Sequence, residues 1–240
     1  MNGAGNATPG DDSAAPENPG RRIGVLGGTF DPVHNGHLRL AERVLHCLNL
    51  DSILFIPAAR PPHKGDEQMA PFKNRVAMVR IAVRAFPSFL VSEMEGVRHG
   101  PSYSVDTLKE LRRTLGPAAA LFFIVGMDAF VELKTWKNWQ RLPDYTNIAV
   151  VPRPDCPLAM IAKVIPQMGR YFFDPADSCW RASDRAGRIY PVVMDPVAIS
   201  STDIRRMIAA GDLPAGLLPG EVADYIGRNR LYGRVKGNLR

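Results

Sequence analysis

Cysteine is scarce in this sequence. The three cysteines among 240 residues, Cys47, Cys156 and Cys179, lie far apart and form no CxxC pair. An odd, scattered set argues against a disulfide framework, so we expect free thiols in a reducing compartment. The chain also lacks an apolar run of the roughly 18 residues that a membrane span requires. Its N-terminus has no basic segment followed by an apolar one, and we predict a cytoplasmic protein.

Long blocks of a single charge are missing as well. The 30 Lys and Arg residues exceed the 24 Asp and Glu residues, which gives a formal net charge of +6 and a pI near 9.4. Such an excess suits either nucleic-acid binding or polyanionic substrates. Because no block of about five or six basic residues occurs, and basic residues do not alternate with aromatic ones, we favour polyanionic substrates.

The chain changes character near residue 21. Residues 1–20 contain almost no large apolar side chain, and we expect them to form a disordered tail. From there on, short apolar runs alternate with helical patterns, which predicts a single domain over residues 21–240. Several runs are apolar at consecutive positions, as is typical of parallel strands covered on both faces. The pattern therefore predicts an α/β fold, a doubly wound parallel sheet with helices on both faces.

The elements of this fold can be placed along the chain. The predicted strands span residues 22–26, 52–57, 90–93, 120–125, 147–152 and 189–194. The predicted helices span residues 36–49, 72–86, 104–115, 127–142 (broken), 157–168, 203–211 and 219–228. The stretch over residues 152–188 is the least regular.

The first predicted strand is followed by the segment GGTFDPVHNGHL. In open parallel sheets, ligands bind beyond the carboxyl ends of the strands. Gly27 and Gly28 let the backbone approach a ligand closely, and Gly36 and His37 open a helix whose N-terminus attracts phosphate. His34 lies three residues before His37, so both rings can face one side. The segment predicts a polyphosphate site; a metal site is the alternative, although no third ligand lies at a helpful spacing.

A second segment, ISSTDIRR, follows the last predicted strand. Ser200, Ser201 or Thr202 can cap a helix that begins near Asp203. Arg205 then lies in the first turn, where its guanidinium can hold phosphate oxygens in a fork. Alone, the segment suits a capped surface helix with solvated arginines. Together with the first segment, it favours a second phosphate-binding loop.

These segments resemble a known family. GGTFDPVHNGHL resembles the T/HxGH signature of the nucleotidyltransferase superfamily, and in its long form the bacterial nicotinate-nucleotide adenylyltransferases. ISSTDIR is similar to the ISxTxIR signature of that family, and PPHK, GPSYSVDTL, GMD and TW match it in order. The resemblance covers about residues 22–233 and implies a Rossmann-like fold. It also implies transfer of AMP from ATP to nicotinate mononucleotide, with Mg²⁺ carried mostly by ATP.

The resemblance assigns site residues on the matching motif positions. It implies that the catalytic residues are His34, His37 and Arg205. It implies that ATP is bound by Gly27, Gly28, Thr29, Phe30, Gly36, Gly126, Asp128, Arg153, Ser200 and Thr202. It implies that the mononucleotide is bound by His63, Lys64, Ser104 and Trp136, and that no protein side chain is a metal ligand.

Other interpretations of these positions stay open. Asp128 suits a helix N-cap equally well, and Trp136 and Trp139 suit core or lid packing. The PPHK segment also suits an exposed proline-rich loop. Ala58 and Ala59 stand where the family often carries Asn, so side-chain contacts there are in doubt.

Two other functions also stay open. One is an adenylyl or cytidylyl transferase of the same superfamily with a different phosphate acceptor, such as phosphopantetheine; the segments PPHK, PSYSVDTL and TW disfavour it. The other is a nucleotide-binding regulator without turnover, which the intact histidines and Arg205 disfavour. We expect neither nucleic acid nor a membrane as a partner, and the sequence leaves a homo-oligomer open.

Overall fold

The computed structural model describes residues 20–62, 69–169, 171–183, 187–212, 214 and 216–233. Apart from Gly20, the predicted tail over residues 1–20 lies outside the described residues, and so does the end of the chain after Gly233. Among the described residues, no helix is both long and apolar enough to cross a membrane.

The described strands form one sheet. They are β1 (Arg22–Gly28), β2 (Ser52–Pro57), β3 (Phe89–Val91), β4 (Ala120–Gly126), β5 (Asn147–Val151), β6 (Tyr171–Asp174), β7 (Cys179–Ala182) and β8 (Ile189–Pro191). Their order across the sheet is β3-β2-β1-β4-β5-β8-β7-β6. β1 to β5 and β8 pair in parallel, whereas β7 pairs antiparallel with both β6 and β8. The parallel, doubly wound sheet is confirmed, and an antiparallel hairpin extends one edge.

The helices follow the predicted alternation. They are α1 (Asn35–Cys47), α2 (Phe72–Val83), α3 (Met94–Val97), α4 (Ser104–Leu115), α5 (Met127–Val131), α6 (Leu142–Tyr145), α7 (Ile161–Val164), α8 (Ser201–Ala210) and α9 (Gly220–Arg228). The predicted helix over residues 127–142 consists of α5, two 3₁₀ turns and the start of α6. The predicted helix over residues 157–168 is α7 between two 3₁₀ turns, because Pro166 lacks the N–H that a longer helix needs.

The hairpin of β6 and β7 was not predicted. Its strands lie in the stretch that sequence patterns mark as least regular, and each has only four residues. Phe172 and Phe173 are consecutive and both exposed, so the strand shows no alternation of apolar and polar positions. Two predicted strands also shift or shorten, since β3 is Phe89–Val91 and β8 ends at Pro191.

Two hydrophobic cores lie on opposite faces of the sheet. In β4, Leu121, Phe123 and Val125 belong to one core, and Phe122 and Ile124 belong to the other. The alternation follows from the period of two along a strand. Residues of α1, α2, α8 and α9 cover the face of Phe122, and residues of α4 to α7 cover the opposite face. The predicted helices on both faces are confirmed.

The sheet opens between β1 and β4, where the order of the strands reverses. The last pair that joins β1 to β4 is Val25 and Phe123. Beyond it, β1 continues beside β2 to Gly28, and β4 continues beside β5 to Gly126. The two carboxyl ends therefore diverge and leave a crevice at the point where ligands bind in open α/β sheets.

Candidate active site

The crevice holds a cavity of about 500 Å³. The predicted site residues that line it are Gly27, Gly28, Thr29, His37, Ser104, Gly126, Asp128, Trp136 and Arg153. They come from the ends of β1, β4 and β5 and from the starts of α1, α4 and α5, except Trp136, which follows the 3₁₀ turn Leu133–Thr135. Segments that are widely separated in the sequence thus meet at one edge of the sheet. The remaining described candidates are not among the lining residues; they are Phe30, His34, Gly36, Ser200, Thr202 and Arg205.

His34 and His37 form a stacked pair at the start of α1. Their ring centroids are 3.7 Å apart with an interplanar angle of 27°. The backbone N–H of His34 donates to Nδ1 of His37 over 3.2 Å. An imidazole that accepts at Nδ1 carries its proton on Nε2 in the neutral form. His37 therefore has an Nε2–H donor while it lines the cavity.

Both imidazoles favour the neutral form. Burial, and secondarily the positive charge of Arg153, lower the pKa of His34 to about 4. Burial lowers the pKa of His37 well below its usual value, and the neighbouring His34 and Arg153 lower it further. Protonation of both stacked rings is unfavourable, because two positive charges would then lie side by side away from water. At neutral pH the pair consists of uncharged imidazoles.

Tight packing places His34 and Phe30 behind the cavity. His34 is buried, and its Nδ1 has no hydrogen-bond partner among the described residues. Gly36 lies against it, since a Cβ on Gly36 would sit 2.9 Å from that nitrogen and 3.0 Å from Val197. Phe30 is buried in the core and packs edge-on against His37. Phe30 and His34 thus support His37, and contacts of Phe30 and Gly36 with ATP remain predictions.

The first turn of α1 is already partly hydrogen-bonded. The N–H of Asn35 donates to the carbonyl of Leu217 over 2.9 Å, and the N–H of His37 donates to the carbonyl of His34 over the same distance. A phosphate would find fewer helix amides here than the sequence suggests. The imidazole of His37 and the nearby guanidinium groups therefore matter more for anion binding than the amides of this turn.

The two sequence motifs meet on one loop. Arg205 donates from Nη1 to the carbonyl oxygen of Asp31 over 2.7 Å. The hydroxyl of Ser201 donates to the carbonyl of Pro32 over 2.9 Å. The start of α8 is thus fastened to the loop that leads into His34. The side-chain oxygen of Ser200 caps α8 by accepting from the N–H of Asp203, as the sequence suggests.

Asp31, which the sequence analysis did not single out, holds this loop from the inside. Its carboxylate is buried and accepts from the N–H of Ala70 over 3.1 Å and from the hydroxyl of Tyr232 over 2.7 Å. Arg205 Nη1 lies 3.7 Å from the other carboxylate oxygen. Burial, followed by the nearby Asp31 carboxylate, raises the pKa of Tyr232, so this hydroxyl remains a donor. In the sequence, the feature that could have identified Asp31 is its position within the GGTFDP segment.

Arg75 is a second residue that sequence reasoning missed. It lies in α2 and is 1% exposed. Its Nη1 donates to the carbonyls of Thr29 and Ala58, each over 2.7 Å, and its Nε donates to Ala70 over 3.0 Å. Burial lowers the pKa of the guanidinium, and the negative charge of Asp31 opposes that shift. One buried cation thereby joins the loops that follow β1 and β2.

A charged pair lies at the ends of β4 and β5. Arg153 Nε is 3.5 Å from Oδ1 of Asp128, and both residues line the cavity. Gly126 leaves room for them, because a Cβ there would lie 2.7 Å from Arg153 Nε and would collide with the Asp128 carboxylate. Gly126 occupies the N-cap position of α5, so Asp128 is not the N-cap that the sequence left as an alternative. The Asp128 carboxylate is free to accept hydrogen bonds from a ligand.

The other end of the cavity is aromatic. Trp136 lines it and packs edge-on against Phe123, with ring centroids 6.2 Å apart. Trp139 packs against the core and does not belong to the lining within the described part of the chain. Tyr103 and Ser104, at the start of α4, complete this end. The structure therefore distinguishes the two tryptophans, because Trp136 lines the cavity, where a planar ligand ring could stack on it.

The PPHK segment is only partly described. His63 and Lys64, which the sequence analysis assigns to the mononucleotide, lie outside the described residues. Ala58 and Ala59 precede them and offer their carbonyls to Arg75. Their backbone therefore has a structural role that does not need an amide side chain. Among the described residues, no three His, Cys, Asp or Glu side chains cluster to hold a metal ion.

Comparisons with known sequences concern the family. A family model described as cytidylyltransferase-like matches residues 25–207. A protein of Citrifermentans bemidjiense named "Probable nicotinate-nucleotide adenylyltransferase" is 42% identical over 214 residues, which cover 88% of this chain and 98% of that one. A protein of Shewanella baltica with the same name is 40% identical over 215 residues, covering 88% and 99%.

Comparisons with solved structures concern the fold. The nicotinic acid mononucleotide adenylyltransferase of Plasmodium falciparum complexed with NaAD has a TM-score of 0.69 at 16% identity, covering 88% of this chain and 97% of that chain. The same enzyme complexed with APC has a TM-score of 0.68 at 15% identity, with the same coverage. At such identities the likeness is one of fold, and it agrees with the Rossmann-like sheet.

The buried guanidinium of Arg75 supports a first prediction. Arg75→Met leaves the carbonyls of Thr29, Ala58 and Ala70 without donors, so the free energy of unfolding should fall by about 3 kcal/mol or more. Arg75→Lys should not restore the stability, because the single nitrogen of an ammonium group cannot reach all the carbonyls that separate guanidinium nitrogens bind. Urea denaturation measures both.

Arg80→Met is the matched control on the same helix. Its side chain is 60% exposed, and a loss below about 1 kcal/mol is expected. Equal losses in the Arg75 and Arg80 variants would contradict the role given to Arg75.

The lowered pKa of His34 supports a second prediction. The pKa falls from 6.5 to about 4 on folding, so the unfolded chain takes up a proton more readily between these values. Stability should therefore decrease as the pH falls through this window, and His34 alone should account for about 2.5 kcal/mol between about pH 7.5 and pH 4.5. His34→Gln should reduce the pH dependence of the unfolding free energy by that amount.

The exposed His46 on the same helix supplies the control. His46→Gln should retain the pH dependence of the unchanged protein in denaturant titrations at both pH values. If the His34 and His46 variants show the same dependence, then His34 is not held neutral by burial.

Proposed function

The chain belongs to the nicotinate-nucleotide adenylyltransferase family, within the broader cytidylyltransferase-like family, and we propose that it transfers AMP from ATP to nicotinate mononucleotide. In this proposal His37 and Arg205 act at the reacting phosphates, and His34 supports the His37 ring. The products are deamido-NAD and pyrophosphate, a step of NAD biosynthesis. The observation that carries the assignment of these residues is the junction of both motifs on the loop after β1, where Arg205 binds Asp31 and the histidines stack.

The reaction needs no nucleophile from the protein. An oxygen of the mononucleotide phosphate forms a bond to the α-phosphorus of ATP while the bond to the β-phosphate oxygen breaks, and pyrophosphate takes the electron pair. A phosphate monoester is already anionic and nucleophilic. Catalysis therefore depends on bringing two anions together and on stabilising the charge at the α-phosphate and the leaving group.

His37 is suited to the α-phosphate. Its Nδ1 is engaged by the backbone N–H of His34, so its proton lies on Nε2 and can be donated to a phosphate oxygen. Its lowered pKa means that the free site holds a neutral donor, whose affinity for a proton rises when phosphates arrive. His34, stacked behind it, positions the ring rather than touching the reacting atoms.

Arg205 is suited to the leaving pyrophosphate. It lies at the start of α8 and is 25% exposed, and its Nη1 is engaged by the carbonyl of Asp31. Its Nη2 donates to the hydroxyl of Thr202 over a longer distance of 3.4 Å. Phosphate oxygens can replace that weak contact, which makes Thr202 and Ser200 the neighbouring hydroxyl groups of the same site.

The two ends of the cavity suit the two substrates. Asp128 and Arg153, at the ends of β4 and β5, would bind the ribose and phosphates of ATP, beside Gly27, Gly28 and Thr29. Trp136 would stack on the pyridine ring, and Ser104 would face its carboxylate at the start of α4. The His63 and Lys64 side chains are proposed to meet the mononucleotide phosphate on the strength of the resemblance alone.

Mg²⁺ is expected to enter with ATP. Near the proposed phosphates, the cavity offers the carboxylate of Asp128, which is paired with Arg153, and the neutral imidazole of His37. This donor set fits an ion whose ligands are mostly phosphate oxygens and water. When bound, Mg²⁺ would neutralise phosphate charge. The residues of this chain would meanwhile orient the two substrates.

We assign the reaction to the cytoplasm. Cys47, Cys156 and Cys179 are all free thiols in the structure, in keeping with a reducing compartment.

An acceptor comparison tests the function. Pyrophosphate release is measured with ATP and, in turn, nicotinate mononucleotide, nicotinamide mononucleotide and phosphopantetheine. The highest kcat/KM is expected for nicotinate mononucleotide. A preference for phosphopantetheine would identify a different transferase of the superfamily. Tight binding of ATP without pyrophosphate release from any acceptor would favour a regulator.

The role of His37 gives a third prediction. His37→Ala removes the Nε2–H donor, and kcat should fall by roughly two to three orders of magnitude, as for other donors to a developing oxyanion. The control is His46→Ala, which is exposed in the last turn of the same helix and should retain turnover. Circular dichroism and thermal unfolding check that both variants fold. Near-normal turnover in folded His37→Ala protein would remove His37 from the mechanism.

A further inference from the structure

The aromatic end of the cavity carries a cation that the proposed mechanism does not use. Among the described residues that line the cavity, Lys137 and Arg153 have the basic side chains. Arg153 is paired with Asp128 at the proposed ATP end. Lys137 directly follows Trp136 and stands at the other end, where the pyridine ring would lie. The two cations therefore have different partners, and Lys137 neighbours Trp136, on which the pyridine ring is proposed to stack.

The ammonium of Lys137 is held over the first turn of α4. Its Nζ lies 3.0 Å from Oδ2 of Asp106 and 4.5 Å from the centre of the Tyr103 ring. Both partners belong to that turn or its N-cap. Tyr103 makes no side-chain cap within the described part of the chain, so the first N–H groups of α4 remain available to an anion. Lys137 offsets the charge of the Asp106 carboxylate, so the partial positive charge of the helix end is not cancelled.

Nearby carboxylates make that charge necessary for an anionic ligand. Glu95 lines the same end and is buried, with Oε1 accepting from the hydroxyl of Thr107 over 2.5 Å. Arg98 lies 3.7 Å from the same oxygen, and Oε2 has no hydrogen-bond partner among the described residues. Arg98 offsets the charge of Glu95, so without Lys137 the Asp106 carboxylate would be left to repel a carboxylate on the pyridine ring. A neutral amide would meet no such repulsion.

We infer that the Lys137 side chain is a specificity-determining residue, which selects the carboxylate of the acid substrate over the corresponding amide by placing a positive charge at the start of α4. This inference rests on the proposed function. The charge acts on the acid and hardly on the neutral amide, because the two ligands differ by one unit of charge at that position. Since the Lys137 side chain is 42% exposed, solvent screens the interaction, and a change of about five- to tenfold is expected.

Removal of the charge is the test. Lys137→Met keeps an unbranched apolar chain of similar length and should lower the ratio of kcat/KM for nicotinate over nicotinamide mononucleotide by about five- to tenfold. The loss should fall mainly on KM of the acid. Lys137→Arg should keep the ratio. If turnover of the amide is too slow to time, its inhibition constant against the acid replaces its kcat/KM.

Two further variants separate charge from structure. Lys134→Met removes the same charge from an exposed position in the neighbouring 3₁₀ turn, and the ratio should stay within about twofold. Asp106→Asn removes the counter-ion of Lys137 and one repelling carboxylate, so the ratio should rise. In the unchanged enzyme, high salt should lower the ratio of kcat/KM for nicotinate over nicotinamide mononucleotide, because salt screens the charge of Lys137.

The outcomes distinguish the inference from the function on which it rests. An unchanged ratio in folded Lys137→Met protein that still makes deamido-NAD would overturn the role of Lys137 and leave the function intact. The same holds if Lys134→Met changes the ratio equally. No product from nicotinate mononucleotide with the unchanged enzyme would instead overturn the proposed function.

Discussion

The buried carboxylate of Asp31 holds the site together. It accepts hydrogen bonds from the backbone at Ala70 and from the hydroxyl of Tyr232, and Arg205 binds the carbonyl of the same residue. A buried charge is costly unless such partners satisfy it, so any change that pulls them apart exposes that cost. One acidic side chain thereby couples the loop after β1 to α8 and to a residue near the end of the described chain. Arg75 performs the corresponding task with three carbonyls on the neighbouring loops.

This scaffold holds both histidines in the neutral form. His34 and His37 sit in a packed layer between Phe30 and the cavity, and burial holds both pKa values low. A neutral imidazole with a defined tautomer is a directional donor, and it carries no fixed charge that would bind product phosphates too tightly. The positive charge at this end is supplied instead by guanidinium groups, which keep their charge at any working pH.

The cavity is therefore polarised along its length by ordinary features of the fold. The ends of β1, β4 and β5 bring glycine backbone, Asp128 and Arg153 to one side, where a triphosphate and ribose would lie. The loop before α4 and the turn that carries Trp136 bring aromatic surface and a helix N-terminus to the other. Divergence of β1 from β4 beyond Val25 creates the space between them. Two separate sources of positive potential suit the two anions of the proposed reaction.

Sequence patterns by themselves determined the parallel sheet, the covering helices and the glycine- and histidine-rich loop, because strand and helix periodicity and loop chemistry depend on neighbouring residues. They located β2 and α4 to the residue. They missed the hairpin of β6 and β7, whose strands are short and show no alternation. Only the tertiary structure revealed the partners of Asp31 and Arg75, the burial of Phe30, and the position of Lys137 over α4. Each of these depends on segments far apart in the chain that meet only when the sheet is formed, and a single sequence does not show which distant segments will meet.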